Sequence, residues 1–105
     1  MKLKVMPDFC SSGIWNCDNE CMVDFDELNL PKDLVEDILC WIDFYDDECH
    51  EHENFSFIAD EYKTDRLNKW GYKLAYSIKE LYPNFDIVYI GENKENILEP
   101  ITINL

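Results

Sequence analysis

The sequence is short of positive charge, of glycine and of long apolar runs, and each shortage closes off a class of function. Nine lysines and arginines stand against 23 aspartates and glutamates, for a formal net charge of −14. Nucleic acid and anionic membranes are bound through lysine and arginine. The balance therefore argues against either as a direct partner and favours encounter with basic ones. Three glycines in 105 residues leave no glycine-rich loop to cradle a phosphate, and neither G-x-S-x-G nor H-E-x-x-H occurs. No stretch approaches the roughly 18 apolar residues of a membrane helix, and the opening Met1–Phe9 lacks an apolar run of signal-peptide length. These absences predict a cytoplasmic, non-enzymatic protein. Five cysteines, an odd number, fit reduced thiols in that compartment better than a disulfide framework.

What is present describes a folded domain. Hydrophobic residues make up 47% and aromatic residues 14% of the chain, well outside the composition of a disordered segment. A chain of this length is expected to form a single domain, residues 1–105, and can bury roughly two-thirds of its unfolded surface without staples.

Taken in order, Leu3 and Val5 mark a first strand within Lys2–Met6, ended by Pro7. Residues 8–29 read as loop, with two short apolar pieces, Ile14-Trp15 and Met22–Phe25. In the second piece Val23 and Phe25 alternate with Asp24 and Asp26 as in a half-buried strand. Pro31 suits the first turn of a helix, and Asp33, Glu36 and Asp37 sit near its positive end. Leu34, Val35, Ile38, Leu39, Trp41, Ile42 and Tyr45 then share one broad helical face, the expected core face. Asp33, Glu36, Asp37, Asp43 and Asp47 lie on or beside the opposite face, with Cys40 and Phe44 set among them. The helix is expected to end within Asp46–His50, followed by a connector. A second helix is expected from about Ala59 to Leu81, on the stripe Leu67, Trp70, Leu74, Ile78 and Leu81. Gly71 sits beside that stripe, where a mid-helix glycine costs about 1 kcal/mol against alanine unless another element needs the space. Tyr62, Tyr72 and Tyr76 fall on its outward side, and five of the nine basic residues lie in this helix. Phe85–Ile90 reads as a strand, and Ile101 with Ile103 as a further edge strand. The order predicts an α+β fold with two helices packed on one face of a small, mostly antiparallel sheet.

Three constellations bear on function. Cys17 and Cys21, with Cys49 and His52, could supply four zinc ligands, which would make this a metal-stabilised binding or regulatory domain. Ordinary reduced thiols and a solvated histidine run explain the same residues, and no cofactor is expected. Catalysis finds no support: Cys49 and His50 point apart on a helix, and neighbouring acids disfavour a thiolate. The possible EF-hand loops, Asp18–Asn29 and Asp43–Asn54, lack the central glycine. The third constellation is the acidic face of the first helix. Its bland reading is a solvated surface. Its sharper reading is a docking face for a basic partner, with acids for steering and Phe44 as the apolar anchor.

Several stretches add to this. Lys4-Val5-Met6-Pro7-Asp8, Ser12-Gly13-Ile14-Trp15 and Asp26-Glu27-Leu28-Asn29-Leu30-Pro31 come first. Trp41, Tyr45-Asp46 and Gly71 follow. In this order they resemble a group of small bacterial proteins of toxin–immunity loci, contact-dependent growth inhibition systems included. The likeness spans about residues 3–90, and the Cys49–His52 run falls outside its pattern. It implies a cytoplasmic immunity protein that binds a cognate toxin domain, a basic nuclease-type toxin being a fitting target for an acidic surface. It transfers no site residue one by one, because the matching positions are mostly proline, glycine and aromatic. The expected interface therefore comes from the helix itself: Asp33, Glu36, Asp37, Cys40, Phe44, Asp47 and Glu51. The free protein is expected to be a monomer.

Overall fold

A computed structural model describes residues 1–8, 10–50, 61–92 and 99–105, without the side chains of Cys49 and His50. Four strands and two long helices are seen among them: β1 (Lys2–Val5), β2 (Ile14–Asn16), α1 (Lys32–His50), α2 (Glu61–Leu81), β3 (Asp86–Tyr89) and β4 (Ile101–Thr102). The strands form one mixed sheet in the order β2-β1-β3-β4. Both outer pairings are antiparallel, whereas the central one, β1 with β3, is parallel, with Leu3 opposite Ile87 and Val5 opposite Tyr89. A parallel pair needs a crossover connection, and here the crossover contains both helices. The expected α+β architecture is therefore present.

Alternation places the sheet's inner face. Leu3, Val5, Ile87 and Tyr89 are buried, while Lys2 and Asp86 are exposed and Lys4 and Val88 half-buried. The helices cover the buried side, contributing Ile38, Trp41, Ile42 and Tyr45 from α1 and Leu67, Leu74, Ala75 and Ile78 from α2 to one core. Leu28 and Ile103 close it from the connecting segments.

Two expectations from the sequence change here. The Val23–Phe25 alternation is not a strand: Met22 makes a single bridge to Trp15, and Phe25–Leu28 is a 3-10 helix. The Val23 N–H still donates to the Ile14 carbonyl at 2.9 Å, but from Asp24 on, whose N–H donates to Glu27 Oε2 at 2.9 Å, a capping interaction replaces the pairing. The true second strand is the first apolar piece, Ile14–Asn16, held against β1. Leu39 and Leu81 were expected inside, yet they are 46% and 45% exposed. Each sits at the margin of its helix's apolar arc, beyond the reach of the sheet.

Trp41 is the centre of the packing. It is fully buried, and its indole Nε1 donates to the Leu67 carbonyl of α2 at 2.9 Å. Two glycines make room for it. A Cβ on Gly13 would stand 2.7 Å from Trp41 Cζ3, and one on Gly71 would stand 2.6 Å from Trp41 Cζ2 and 2.5 Å from Tyr89 Cε2. Gly13 also has φ +75°, a conformation that disfavours any side chain. Three positions of the family-like pattern, Gly13, Trp41 and Gly71, are thus one contact.

Candidate partner-binding face

α1 carries seven acidic residues and one lysine. A helix brings residues three and four apart together, so Asp33, Glu36, Cys40, Asp43 and Asp47 form one continuous strip, and all five are exposed. Leu39 is exposed at the strip's margin. The contact between Lys32 and Glu36 is 4.0 Å long, between side chains that are largely in solvent, and it relieves little of the charge. The strip therefore presents negative potential with a small apolar component, Cys40 and Leu39, inside it.

Two of the expected site residues turn out to serve the helix pair. Phe44 is half-buried, its ring 6.2 Å from that of Trp70, with the Arg66 guanidinium 5.4 Å from its centroid. Asp37, although exposed, accepts a hydrogen bond from Trp70 Nε1 at 2.9 Å. Farther along, Lys63 pairs with Glu48 at 2.8 Å. Partners on α2 run backwards as α1 runs forwards, so the helices are antiparallel, and Asp37, Phe44 and Glu48 make the seam between them. Helical position alone puts Phe44 among acids; the second helix beside it is visible only in the fold. Glu51 lies outside the described residues. Leu39 was missed as a surface residue because its neighbours in sequence suggested core. Its place at the edge of the apolar arc was the available signal.

Next to the end of α1, polar groups from three elements meet under the surface. Tyr45 Oη donates to Glu92 Oε1 at 3.2 Å. Asn68 Nδ2 donates to the Glu92 carbonyl at 2.8 Å, and Asn68 Oδ1 accepts from Tyr89 Oη and from the Glu92 N–H. These bonds tie the end of β3 to both helices. Burial raises the Glu92 carboxyl above the usual range, with Asp8 adding to the effect and the Tyr45 hydroxyl opposing it. Burial likewise raises Asp46, against the hydrogen bond it accepts from the Cys10 N–H, while Asp43, Asp47 and Asp8 reinforce the rise. The Tyr89 phenol is also pushed up, by burial and by Glu92.

A carboxyl raised on folding binds its proton more tightly in the folded state. Its stabilising contribution is complete below the ordinary value, 4.5 for Glu92 and 3.8 for Asp46, and is lost as pH rises through the raised value. The melting temperature is accordingly expected to be higher near about pH 5 than at neutral pH. Glu92→Gln keeps an acceptor for Tyr45 and removes the charge, so it should narrow that difference. Thermal melts across this range check it, and an unaltered pH profile in the variant would contradict the assignment.

The zinc alternative gains no geometry. Among the described residues no three of His, Cys, Asp and Glu are grouped to hold a metal. Cys17 is half-buried and Cys21 exposed in the turn after β2, whereas His52 and the Cys49 side chain lie outside the described residues. Among the described residues, too, no helix is long and apolar enough to cross a membrane.

Comparison with known proteins gives one family. The family model described as Serratia CdiI immunity protein-like matches residues 1–92 of the chain. Neither curated proteins nor solved structures yield a match.

Proposed function

The chain belongs to the Serratia CdiI immunity protein-like family, and from that premise we propose that it binds and neutralises a cognate toxin domain through the outer strip of α1. The observation that carries this choice of face is the exposed run Asp33, Glu36, Asp43 and Asp47 with Cys40 inside it and Leu39 at its margin. The acids steer a basic toxin surface, of the kind a nuclease uses for its substrate, and the apolar pair supplies desolvated contact. Glu51, next in sequence after α1, belongs to the proposed interface by charge but lies outside the described residues. Asp37 and Phe44 act from behind, holding α1 to α2 so that the strip is rigid. Inhibition on this reading is by occupancy, without catalysis and without a cofactor. The free protein is a cytoplasmic monomer, kept apart from its own copies by a net charge of −14.

The test uses the cognate toxin domain. Reversing Glu36, Asp43 and Asp47 to lysine should slow association by about 10–100-fold at low salt and flatten its dependence on ionic strength. All three side chains are exposed, so the circular dichroism spectrum should not change. Leu39→Asp should act instead on the dissociation rate. Unchanged association in the triple variant would move the interface elsewhere.

A further inference from the structure

α2 is the one described helix whose charge opposes that of the chain. It has five basic and three acidic residues, in a protein of net charge −14. Lys69 and Lys73 are exposed one turn apart, and they border two grooves. On one side Tyr62, Asp65, Arg66 and Trp70 line a space of about 410 Å³. On the other, Tyr72, Tyr89, Gly91 and Ile101 wall a space of about 380 Å³ that is almost wholly apolar. Tyr62 is 77% exposed and Ile101 48% exposed, so large apolar groups stand open at both sides of a cationic ridge.

The cations are not all spent. Lys63 is paired with Glu48, and Lys69 reaches Asp65 at 2.9 Å. Among the described residues Arg66 and Lys73 have no carboxylate partner. The Arg66 guanidinium lies over the rings of Phe44 and Trp70, 5.4 and 5.9 Å from their centroids, which holds it in place at little entropic cost.

We propose that this outer face of α2 is a second docking surface, separate from the strip on α1, and that it takes a short acidic protein segment carrying apolar side chains. Acids of the segment would meet Lys73, Arg66 and Lys69, while apolar residues on either side would enter the two grooves. Ionic screening limits what such a ligand feels to charges within about 8 Å at physiological salt; of the acids that close, Asp65 is paired with Lys69 and Asp37 with the Trp70 indole, which leaves Arg66 and Lys73 to set the sign of the ridge. Interleaved cations and aromatic rings also suit single-stranded nucleic acid. Beyond Lys69 and Lys73, however, the second groove offers a base edge little besides Asn68, and a longer polyanion would run into the acidic remainder of the chain.

The experiment is a titration of the isotopically labelled full chain, followed by amide chemical shifts. The probe is a short, end-capped peptide of alternating Glu and Leu, and the control is its counterpart with Lys in place of Glu. The acidic peptide is expected to shift the amides of Lys69, Tyr72, Lys73, Gly91 and Ile101, and the basic one to leave them in place. Lys69→Glu with Lys73→Glu should weaken the response about tenfold. If that pair of changes disturbs the spectrum as a whole, Lys73→Gln alone serves, with a smaller loss expected. Equal responses to both peptides, shifts confined to α1, or no loss in the variants would overturn the proposal. So would oligothymidylate shifting the same amides at lower concentration than the peptide, which would make the face a nucleic-acid surface.

Discussion

Trp41→Ala is expected to cost about 3–5 kcal/mol of stability, a large part of the roughly 5–15 kcal/mol that holds a domain of this size together. The indole is fully buried, its ring centroid is 6.3 Å from that of Tyr89, and its N–H is committed to the Leu67 carbonyl. Truncation would leave a cavity bounded by α1, α2, the sheet and the Gly13 turn. These elements are already fitted to the ring, so little can collapse into the space. Denaturant unfolding checks it, with an unchanged slope and a lowered midpoint as the expected signature. Trp41→Phe separates the two contributions. It keeps most of the volume, loses the hydrogen bond, and should cost about 1–2 kcal/mol. A loss below about 1 kcal/mol in the alanine variant would mean that the site collapses around the gap, contrary to the packing described.

Gly71→Ala is the second large effect, and its sign runs against helix propensity. In an open helix the change would gain about 1 kcal/mol. Here the added methyl would stand 2.5 Å from Tyr89 Cε2 and 2.6 Å from Trp41 Cζ2. Both are atoms of buried rings, and neither is the movable end of a flexible chain. Tyr89 is further held through its hydroxyl by Asn68, at 3.0 Å. Overpacking of this kind costs about 1–3 kcal/mol, so a net loss is expected in spite of the better helix former. Combining Gly71→Ala with Trp41→Phe tests the cause, because the smaller ring gives back space and the two costs should sum to more than the double variant loses. A stabilised Gly71→Ala protein would show that α2 and the sheet are farther apart than described.

Both helices were legible in the sequence, since their apolar stripes run long enough for periodicity to average out single exceptions. The strands at either side of the crossover were legible as well, from alternation in Leu3–Val5 and from the apolar run of Asp86–Tyr89. What periodicity could not supply is the number of neighbours a helix has. α1 lies against the sheet and beside α2 at once, so its covered arc is wider than an apolar stripe on one side. Phe44 and Asp37 fall in the extra arc, and the contacts that claim them come from Trp70 and Arg66, more than twenty residues away in sequence. Leu39 is the complementary case, an apolar residue left outside because nothing packs on its edge. The strand assignment between residues 14 and 25 failed for a similar reason. A run this short has no periodicity to read, and its state is set by whether β1 lies next to it. The Asp24–Glu27 spacing, one acid three residues before another, was a local cue to the 3-10 turn that could have been weighed against alternation.

The candidate site was legible in part. Charge and exposure along Asp33, Glu36, Cys40 and Asp47 follow from position on a helix, and those residues do stand together in solvent. The apolar anchor assigned to that face was not legible, because a half-buried aromatic and an exposed one look alike in a sequence. The exchange of Phe44 for Leu39 alters what an experiment should target: Phe44→Ala would loosen the helix pair, whereas Leu39→Asp changes the surface alone.

The parallel pairing of β1 with β3 also sets a timetable. Lys2 lies opposite Asp86 and Val5 opposite Tyr89, so β1 lacks its central partner until residues 86–89 have been made. At about 5–20 residues per second, the hairpin of β1 and β2 waits on the order of 4–15 s with one hydrogen-bonding edge unfilled. Pairing between such distant segments is slow to form even in the finished chain. The domain is therefore expected to mature in a single step, when β3 slots between the β1–β2 hairpin and β4, and a nascent chain halted before residue 86 should bind no partner.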